Sequence, residues 1–218
     1  MAWSGGKDSA VALWRLQQRP GWEVVGILTT VTGEYDRISM HGVRRALLEA
    51  QASALGLTLY RVDIPPRCPN TEYEAAMAAA IAGLREAGVE AIGFGDLFLE
   101  DIRAYRERML SGTGLVPVFP VWGEETGGFA RGLMAAGFRA TLCCVDPRAL
   151  DGRFAGSAYD AQLLSRLPAG VDPCGENGEF HTFVHDGPNF ESPLHFVRGP
   201  VVEREGFVFA DLVPGAEI

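Results

Sequence analysis

The chain has 218 residues, of which 47% are hydrophobic and 22% charged, a composition typical of a folded globular protein. Its net charge of −9 disfavours extended contact with nucleic acid, because neutralising phosphates supplies most of the affinity of such contacts. No apolar stretch approaches the ~20 residues of a membrane-spanning helix, and the four cysteines lack regular spacing, so we expect a cytoplasmic protein that is not membrane-bound.

Strands and helices alternate through the first half of the sequence. The apolar strand over 23–31 has the pattern of a strand buried on both faces, and Thr71 is the predicted N-cap of the third helix. The short connections indicate a Rossmann-like parallel sheet with helices on both faces, an α/β fold. The predicted elements are a helix over 10–18, a strand over 23–31, a helix over 41–56, a strand over 57–65, a helix over 71–88, a strand over 89–96, a helix over 99–110 and a strand over 114–122.

The second half has a different pattern, with apolar and polar residues alternating between Gly and Pro turns. These alternations predict an antiparallel meander. The segment GEETGG interrupts the chain between the two patterns, so we expect one domain over 1–124 and a smaller α+β domain over 125–218. The predicted elements of this half are helices over 127–137 and 157–167 and strands over 139–146, 179–188, 193–206 and 207–213.

A short polar segment, SGGKDS at 4–9, stands directly before the first predicted helix. In a parallel sheet such a strand-to-helix turn lies at the carboxyl edge, where these folds bind ligands. The first amides of a helix lack partners, and its N-terminus is partly positive. Gly5 and Gly6 allow the backbone to curl so that successive amides face one anion. The segment therefore predicts an anion site.

The side chains of this segment suit a polyphosphate. Lys7 adds a full positive charge, and Ser4 and Ser9 add hydroxyl donors. Asp8 would repel a bare anion, but it suits a helix N-cap or a carboxylate facing Mg²⁺ held by phosphates. A solvent-exposed loop is the alternative interpretation, and the complete hexapeptide in its strand–turn–helix setting favours the phosphate site.

A second polar cluster lies at 94–110, where acidic residues precede arginines. Asp96 follows a central strand and is expected beside the phosphate site. Asp96 and Glu100 are expected at the position where Mg²⁺ or an incoming amine would bind. Arg103 and Arg106 share one helix face, and a solvated helix with internal ion pairs is the alternative for this segment.

A third cluster, DPCGENGEFHTFVHDGP at 172–188, crowds polar residues around two glycines before an apolar strand. Glu179 and His181 alternate, so both are expected on one face of that strand. A carboxylate beside an imidazole could position ammonia or move its proton. A hydrated, turn-rich hairpin is the alternative, and Cys174 is a less favoured candidate nucleophile.

Together these motifs resemble the diphthine–ammonia ligase family of PP-loop ATP pyrophosphatases, across nearly the whole chain. The carrying segments are SGGKDS (4–9), RISMHGVRRALLEAQASALGLTLYRVDIP (37–65), FGDLFLEDIRAYRERML (94–110), LVPVFPVW (115–122) and GENGEFHTFVHDGP (175–188). The resemblance implies a PP-loop domain and a smaller C-terminal domain. It also implies ATP-dependent amidation: a carboxylate on a modified histidine of translation elongation factor 2 becomes an acyl-adenylate, and ammonia displaces AMP.

The resemblance also assigns roles to residues of this chain, with ATP as co-substrate and Mg²⁺ as its metal. The implied catalytic residues are Lys7, Asp96, Glu176, Glu179 and His181. The implied nucleotide-binding residues are Ser4, Gly5, Gly6, Lys7, Asp8, Ser9, Thr29, His41, Arg44, Gly95 and Asn177, with Asp8 also facing the metal.

One departure from the family pattern concerns the acceptor. Archaeal and eukaryotic members resemble GEGGE(F/Y)ET, whereas Asn177 and His181 here replace a Gly and a Glu. The GENGEFHT form resembles a bacterial branch, and bacteria are not expected to make diphthamide. The ATP chemistry is therefore expected to carry over, while the carboxylate acceptor, on a protein or free, stays open, as does a homodimer.

Two other functions compete with the amide ligase. One is a PP-loop enzyme that modifies a tRNA base; the acidic balance and the absence of a CxxC motif argue against it. The other is a regulatory module that binds adenine nucleotides without turnover. The density of ionisable groups at 176–181 favours catalysis over simple binding.

Overall fold

The computed structural model describes residues 1–215. The helices are α1 (Lys7–Gln18), α2 (Arg45–Ala54), α3 (Asn70–Glu86), α4 (Glu100–Leu110), α5 (Thr126–Ala135) and α6 (Ala161–Arg166), with 3-10 turns at Gly33–Tyr35 and Gly152–Phe154. The strands are β1 (Gly26–Thr32), β2 (Arg37–Ile38), β3 (Thr58–Ile64), β4 (Ala91–Gly93), β5 (Val116–Val118), β6 (Arg139–Val145), β7 (Phe180–Asp186), β8 (Phe196–Arg204) and β9 (Phe207–Pro214).

The N-terminal half forms the predicted parallel sheet. β1 pairs in parallel with β3, and β4 with β5. Residues 1–3 lie between these pairs, because Ala2 bridges Leu28 and its amide donates to the Gly93 carbonyl at 2.8 Å. Residues 1–3 therefore occupy the central position of the parallel sheet, and the turn after them leads directly into α1.

The C-terminal half forms an antiparallel sheet in the order β7–β6–β9–β8. The antiparallel arrangement was predicted, but the simple meander was wrong, because β6 and β9 separate β7 from β8. The mixed α/β fold with a second, antiparallel sheet confirms the predicted fold class. The division at residue 124 stays a prediction, and one apolar cluster includes residues from both halves, among them Leu13 and Phe183.

Several predicted helix starts were displaced. α2 begins at Arg45 and α6 at Ala161, each four residues later than predicted. α1 begins at Lys7, so the polar segment forms its first turn. α3 begins at Asn70 after Pro69, and no side chain caps it, so Thr71 is inside the helix and not its cap. Within residues 1–215, no helix has the length and apolarity that crossing a bilayer requires.

The C-terminal sheet packs on the start of α1. The Val184 amide donates to the Gly5 carbonyl at 2.8 Å, and the Lys7 amide donates to Thr182 Oγ1 at 3.1 Å. The fully buried Gln51 amide of α2 joins both segments, donating to the carbonyls of Gly5 at 3.0 Å and Val184 at 2.6 Å. These contacts hold β7 at the carboxyl edge of the parallel sheet.

Candidate active site

A cleft of about 1050 Å³ lies at this edge, and both halves of the chain line it. Its size is at the upper end of typical ligand pockets, about 300–1,000 Å³. Several of the predicted site residues line the cleft: Ser4, Asp8, Ser9, His41, Gly95, Asp96, Glu176 and His181. The other predicted residues lie outside its lining: Gly5, Gly6, Lys7, Thr29, Arg44, Asn177 and Glu179.

The turn before α1 depends on its glycines and hydroxyls. Gly5 has φ +79°, a conformation that residues with a Cβ rarely adopt. The Gly6 amide donates to Ser4 Oγ at 3.2 Å, and Ser4 Oγ lies 3.2 Å from Ser9 Oγ. A Cβ on Gly95 would lie 2.7 Å from the Ser9 nitrogen, so the segment after β4 approaches α1 closely only because this residue is glycine.

Lys7 turns away from the cleft. It is the only lysine of the chain, and it is 2% exposed. Its ammonium donates to Asp8 Oδ2 at 2.9 Å and to the Cys174 carbonyl, and it lies 5.6 Å from the Tyr159 ring centroid. Burial alone would lower the pKa of Lys7, but Asp8 and its other neighbours raise it above the ordinary value. The ammonium therefore stays charged and acts on the cleft through Asp8.

Four carboxyl groups line the cleft, those of Asp8, Asp96, Glu176 and Glu205. Burial raises the pKa of the first three. The pKa of Glu176 rises to about 7, although its Oε1 accepts the Leu97 amide at 2.7 Å. Lys7 limits the rise of the Asp8 pKa, and Arg106 limits that of Asp96. Asp8 Oδ1 and Asp96 Oδ2 are buried and accept no hydrogen bond from any residue in the described part of the chain. Both oxygens are therefore available to a ligand.

Two imidazoles line the cleft beside these carboxyl groups. The ring centroids of His41 and His181 lie 4.4 Å apart, and His41 Nδ1 lies 3.3 Å from the Thr182 carbonyl oxygen. Burial lowers the pKa of His181 to about 4 and that of His41 well below its ordinary value. Both rings are therefore neutral at pH 7.

Glu179 supports the loop over 172–179 and does not face the cleft. Its side chain is buried, and it accepts the Asp172 amide at 3.0 Å, the Asn177 amide at 3.0 Å and Asn177 Nδ2 at 3.1 Å. β7 begins at Phe180, so Glu179 lies just before the strand, and of the two residues only His181 lines the cleft.

Arg44 and Thr29 also make structural contacts. Arg44 binds Asp211 through Nε at 3.0 Å and Nη2 at 2.6 Å, and Arg37 adds a contact at 3.0 Å. This clamp joins the segment that carries His41 to β9. Thr29 Oγ1 donates to the Trp3 carbonyl at 2.8 Å.

Sequence reasoning missed the cleft residues contributed by α3 and α4, including Tyr73, Tyr105 and Arg106. The shared helix face of Arg103 and Arg106 was the available signal, but it did not distinguish them. Cys174 is unsuited to nucleophilic attack, because its Sγ lies 3.3 Å from the Thr126 carbonyl oxygen and burial raises its pKa to about 12.

Two family models match the chain. The diphthamide synthase N-terminal domain matches residues 1–117, and the diphthamide synthase C-terminal domain matches residues 126–209. The chain is also similar to proteins named diphthine–ammonia ligase: it is 24% identical to the rat protein and 26% identical to the bovine and human proteins. Each similarity covers 95% of this chain and 85% of the relative.

These matches identify the class of protein as a ligase with a PP-loop α/β domain, as predicted. The chain belongs to the diphthamide synthase family, and both halves of the family's architecture are present. The predicted family is therefore confirmed. The individual roles of the site residues stay predictions.

Proposed function

We propose that this ATP-dependent, amide-forming ligase activates a carboxylate as an acyl-adenylate and then transfers ammonia to it. A carboxylate oxygen attacks the α-phosphorus of ATP, and the bond to the bridging oxygen breaks, so pyrophosphate leaves. Ammonia then attacks the acyl carbon, and AMP leaves with the acid's oxygen as one proton is released. The observation that carries the proposal is the cleft, which Glu176 and His181 line together with residues at the start of α1.

The start of α1 is suited to hold the pyrophosphate half of ATP. The hydroxyls of Ser4 and Ser9 line the cleft there, and the partly positive helix N-terminus favours an anion. Donors fixed before the reaction would stabilise the charge that develops on the departing pyrophosphate. Lys7, held behind them, offsets the charge of Asp8.

Asp8 is the residue we assign to Mg²⁺. Within residues 1–215 there is no group of three or more His, Cys, Asp or Glu side chains that could hold a metal ion. The metal would therefore be carried by the ATP phosphates, and the unpartnered Asp8 Oδ1 suits a single contact to it. When bound, Mg²⁺ would neutralise charge on the phosphates.

Glu176 is the residue we assign to ammonia. Its pKa of about 7 suits a base that takes the proton of ammonium near neutral pH. The carboxyl groups of Asp8 and Asp96 nearby would attract the cation. His181 is neutral, so it can accept or donate a hydrogen bond without repelling ammonium.

The substrate named in the relatives, diphthine, is one candidate acceptor. We leave the acceptor at the level of a carboxylate, because Asn177 and His181 depart from the family pattern in the segment proposed to meet it. A tRNA acceptor is less suited to this chain, since its net charge of −9 disfavours extended contact with phosphates. The cytoplasmic location and a homodimer stay predictions.

The test uses isotope transfer. The enzyme is incubated with Mg²⁺-ATP, ammonium and carboxylic acids labelled with ¹⁸O in the carboxyl group, and the products are measured by mass spectrometry. The proposal predicts AMP that carries one ¹⁸O, pyrophosphate and the amide. Production of ADP and phosphate, or of unlabelled AMP alongside the amide, would overturn it.

A further inference from the structure

The far end of the cleft has a different chemistry from the phosphate end. α3 contributes Tyr73 and Met77, and α4 contributes Tyr105 and Met109. These side chains form a largely apolar wall, and the Arg106 guanidinium lies beside it, 3.7 Å from the Asp96 carboxylate. An apolar surface with a single convergent cation is typical of a site for an organic anion.

Arg106 is positioned by its neighbours, but its donors are incompletely used. Its guanidinium lies 5.2 Å from the centroid of the Phe94 ring. The closest contact to a carboxylate joins Nε to Asp96 Oδ2 at 3.7 Å, beyond hydrogen-bonding distance. Both atoms are buried, and neither has a hydrogen-bond partner among residues 1–215. The two atoms form a long ion pair with each other, which leaves the Arg106 Nε donor without an acceptor. An unmade hydrogen bond from a buried charged group is costly, so this donor points to a missing acceptor.

Two other arginines of the cleft differ from Arg106. Arg37 donates to Asp211 at 3.0 Å, and Arg67 Nε donates to Glu205 at 3.1 Å. Arg106 is therefore better suited than either to receive a new anion. Its planar group can bind a carboxylate through two parallel hydrogen bonds.

The position of Arg106 connects the apolar wall to the reaction site. Asp96 follows Gly95, which packs against the backbone of Asp8 and Ser9 at the start of α1. A carboxylate on Arg106 would thus lie beside the proposed phosphate site, with its organic body against α3 and α4. A polyphosphate would bring several negative charges to Asp96, whereas a carboxylate brings one, so the acid is the favoured occupant.

We propose that Arg106 binds the carboxylate of the acceptor and that the acceptor is a monocarboxylic acid with an apolar body. This inference rests on the proposed function and names its substrate class. Tyr73, Met77, Tyr105 and Met109 contact the apolar body, and Arg106 turns the carboxylate towards the start of α1.

The test compares three probes that separate charge from apolar area: hexanoate, 1-hexanol and acetate. Dissociation constants are measured by NMR titration of the full chain with Mg²⁺ and α,β-methylene-ATP, which cannot be split at the α-phosphate. Hexanoate should bind at least ~10-fold more tightly than 1-hexanol or acetate, because only hexanoate supplies both contacts.

Two variants assign the effect to Arg106. Arg106→Gln should remove the preference for hexanoate over 1-hexanol, and Arg106→Lys should retain part of it. Arg103→Gln is the matched control one turn earlier on α4, since Arg103 pairs with Glu107 and stacks on Trp122 outside the cleft. It should bind hexanoate as the unaltered chain does.

Several results would overturn the inference. It fails if the unaltered chain shows no preference for hexanoate, or if Arg106→Gln keeps the preference. It also fails if Arg106→Gln weakens the nucleotide instead, which would make Arg106 a phosphate ligand. A failure of the proposed function appears separately, as ADP and phosphate in the ¹⁸O experiment or as lack of nucleotide binding to the unaltered chain.

Discussion

The two polar segments that meet at the cleft divide their residues between site and scaffold in different ways. In the segment SGGKDS at 4–9, Ser4, Asp8 and Ser9 face the cleft while Lys7 turns inward and joins the two halves of the chain. In the segment over 172–181, Glu176 and His181 face the cleft while Glu179 holds its own loop. A polar residue in a motif can therefore serve the site by supporting it.

Among the substitutions that test this division, Lys7→Met is expected to have the largest effect on stability. Removing the buried ammonium leaves the Asp8 carboxylate and the Cys174 carbonyl without their partner. We expect the free energy of unfolding, measured in urea, to fall by about 3–5 kcal/mol. The double variant with Asp8→Asn should recover part of the loss, because no unpaired charge remains. If Lys7→Met alone were as stable as the unaltered chain, this result would contradict the structural role of Lys7.

Glu176→Gln should act on activity and not reduce stability. Losing a base at this position is expected to lower kcat by about 10²–10⁴-fold. The kcat of the unaltered enzyme should rise as pH increases through about 7, the pKa of Glu176, and the variant should lose this step.

The stability of Glu176→Gln supplies an independent check. Burial raises the pKa of Glu176 from 4.5 to about 7, so the folded state holds the proton more tightly than the unfolded state. The unaltered chain should therefore lose stability as pH rises from 4.5 to about 7, and the variant should lose less. Equal pH profiles would show that Glu176 is not buried as described.

Glu179→Gln should show the opposite behaviour to Glu176→Gln. Glu179 accepts three hydrogen bonds, and the NH₂ group of the new amide would face one of their donors. We expect this to lower the free energy of unfolding by about 1–3 kcal/mol. The activity should recover when the loop is stabilised by lower temperature. A large loss of kcat at unchanged stability would instead assign Glu179 to the reaction.

The smallest effect is expected at the clamp between Asp211 and its arginines. Hydrogen bonds from Arg44, which has the larger effect, and from Arg37 lower the pKa of Asp211 to about 2. The clamp should thus stabilise the fold above pH 3.8 and lose its effect as pH falls towards 2. Because Arg44 is partly exposed, Asp211→Asn should cost only about 1 kcal/mol. Arg44→Gln should leave the affinity for ATP within about 2-fold, and a larger loss would return Arg44 to the nucleotide site.

The sequence was sufficient where the relevant residues are neighbours in the chain. The alternation of strands and helices predicted the parallel sheet, and SGGKDS predicted the polar segment at the start of α1. It was insufficient where a side chain's direction depends on distant residues. Lys7 turns inward because the Cys174 carbonyl, 167 residues later, lies behind it. Arg44 binds Asp211, which is also 167 residues away, and nothing local distinguishes Arg106 from Arg103.

A crystal structure with Mg²⁺ and α,β-methylene-ATP would test the central claim most directly. We expect the pyrophosphate half of the nucleotide to contact Ser4, Ser9 and the first turn of α1, and the α-phosphate to face Glu176 and His181. A nucleotide bound elsewhere, or no nucleotide in the cleft at saturating concentration, would contradict it.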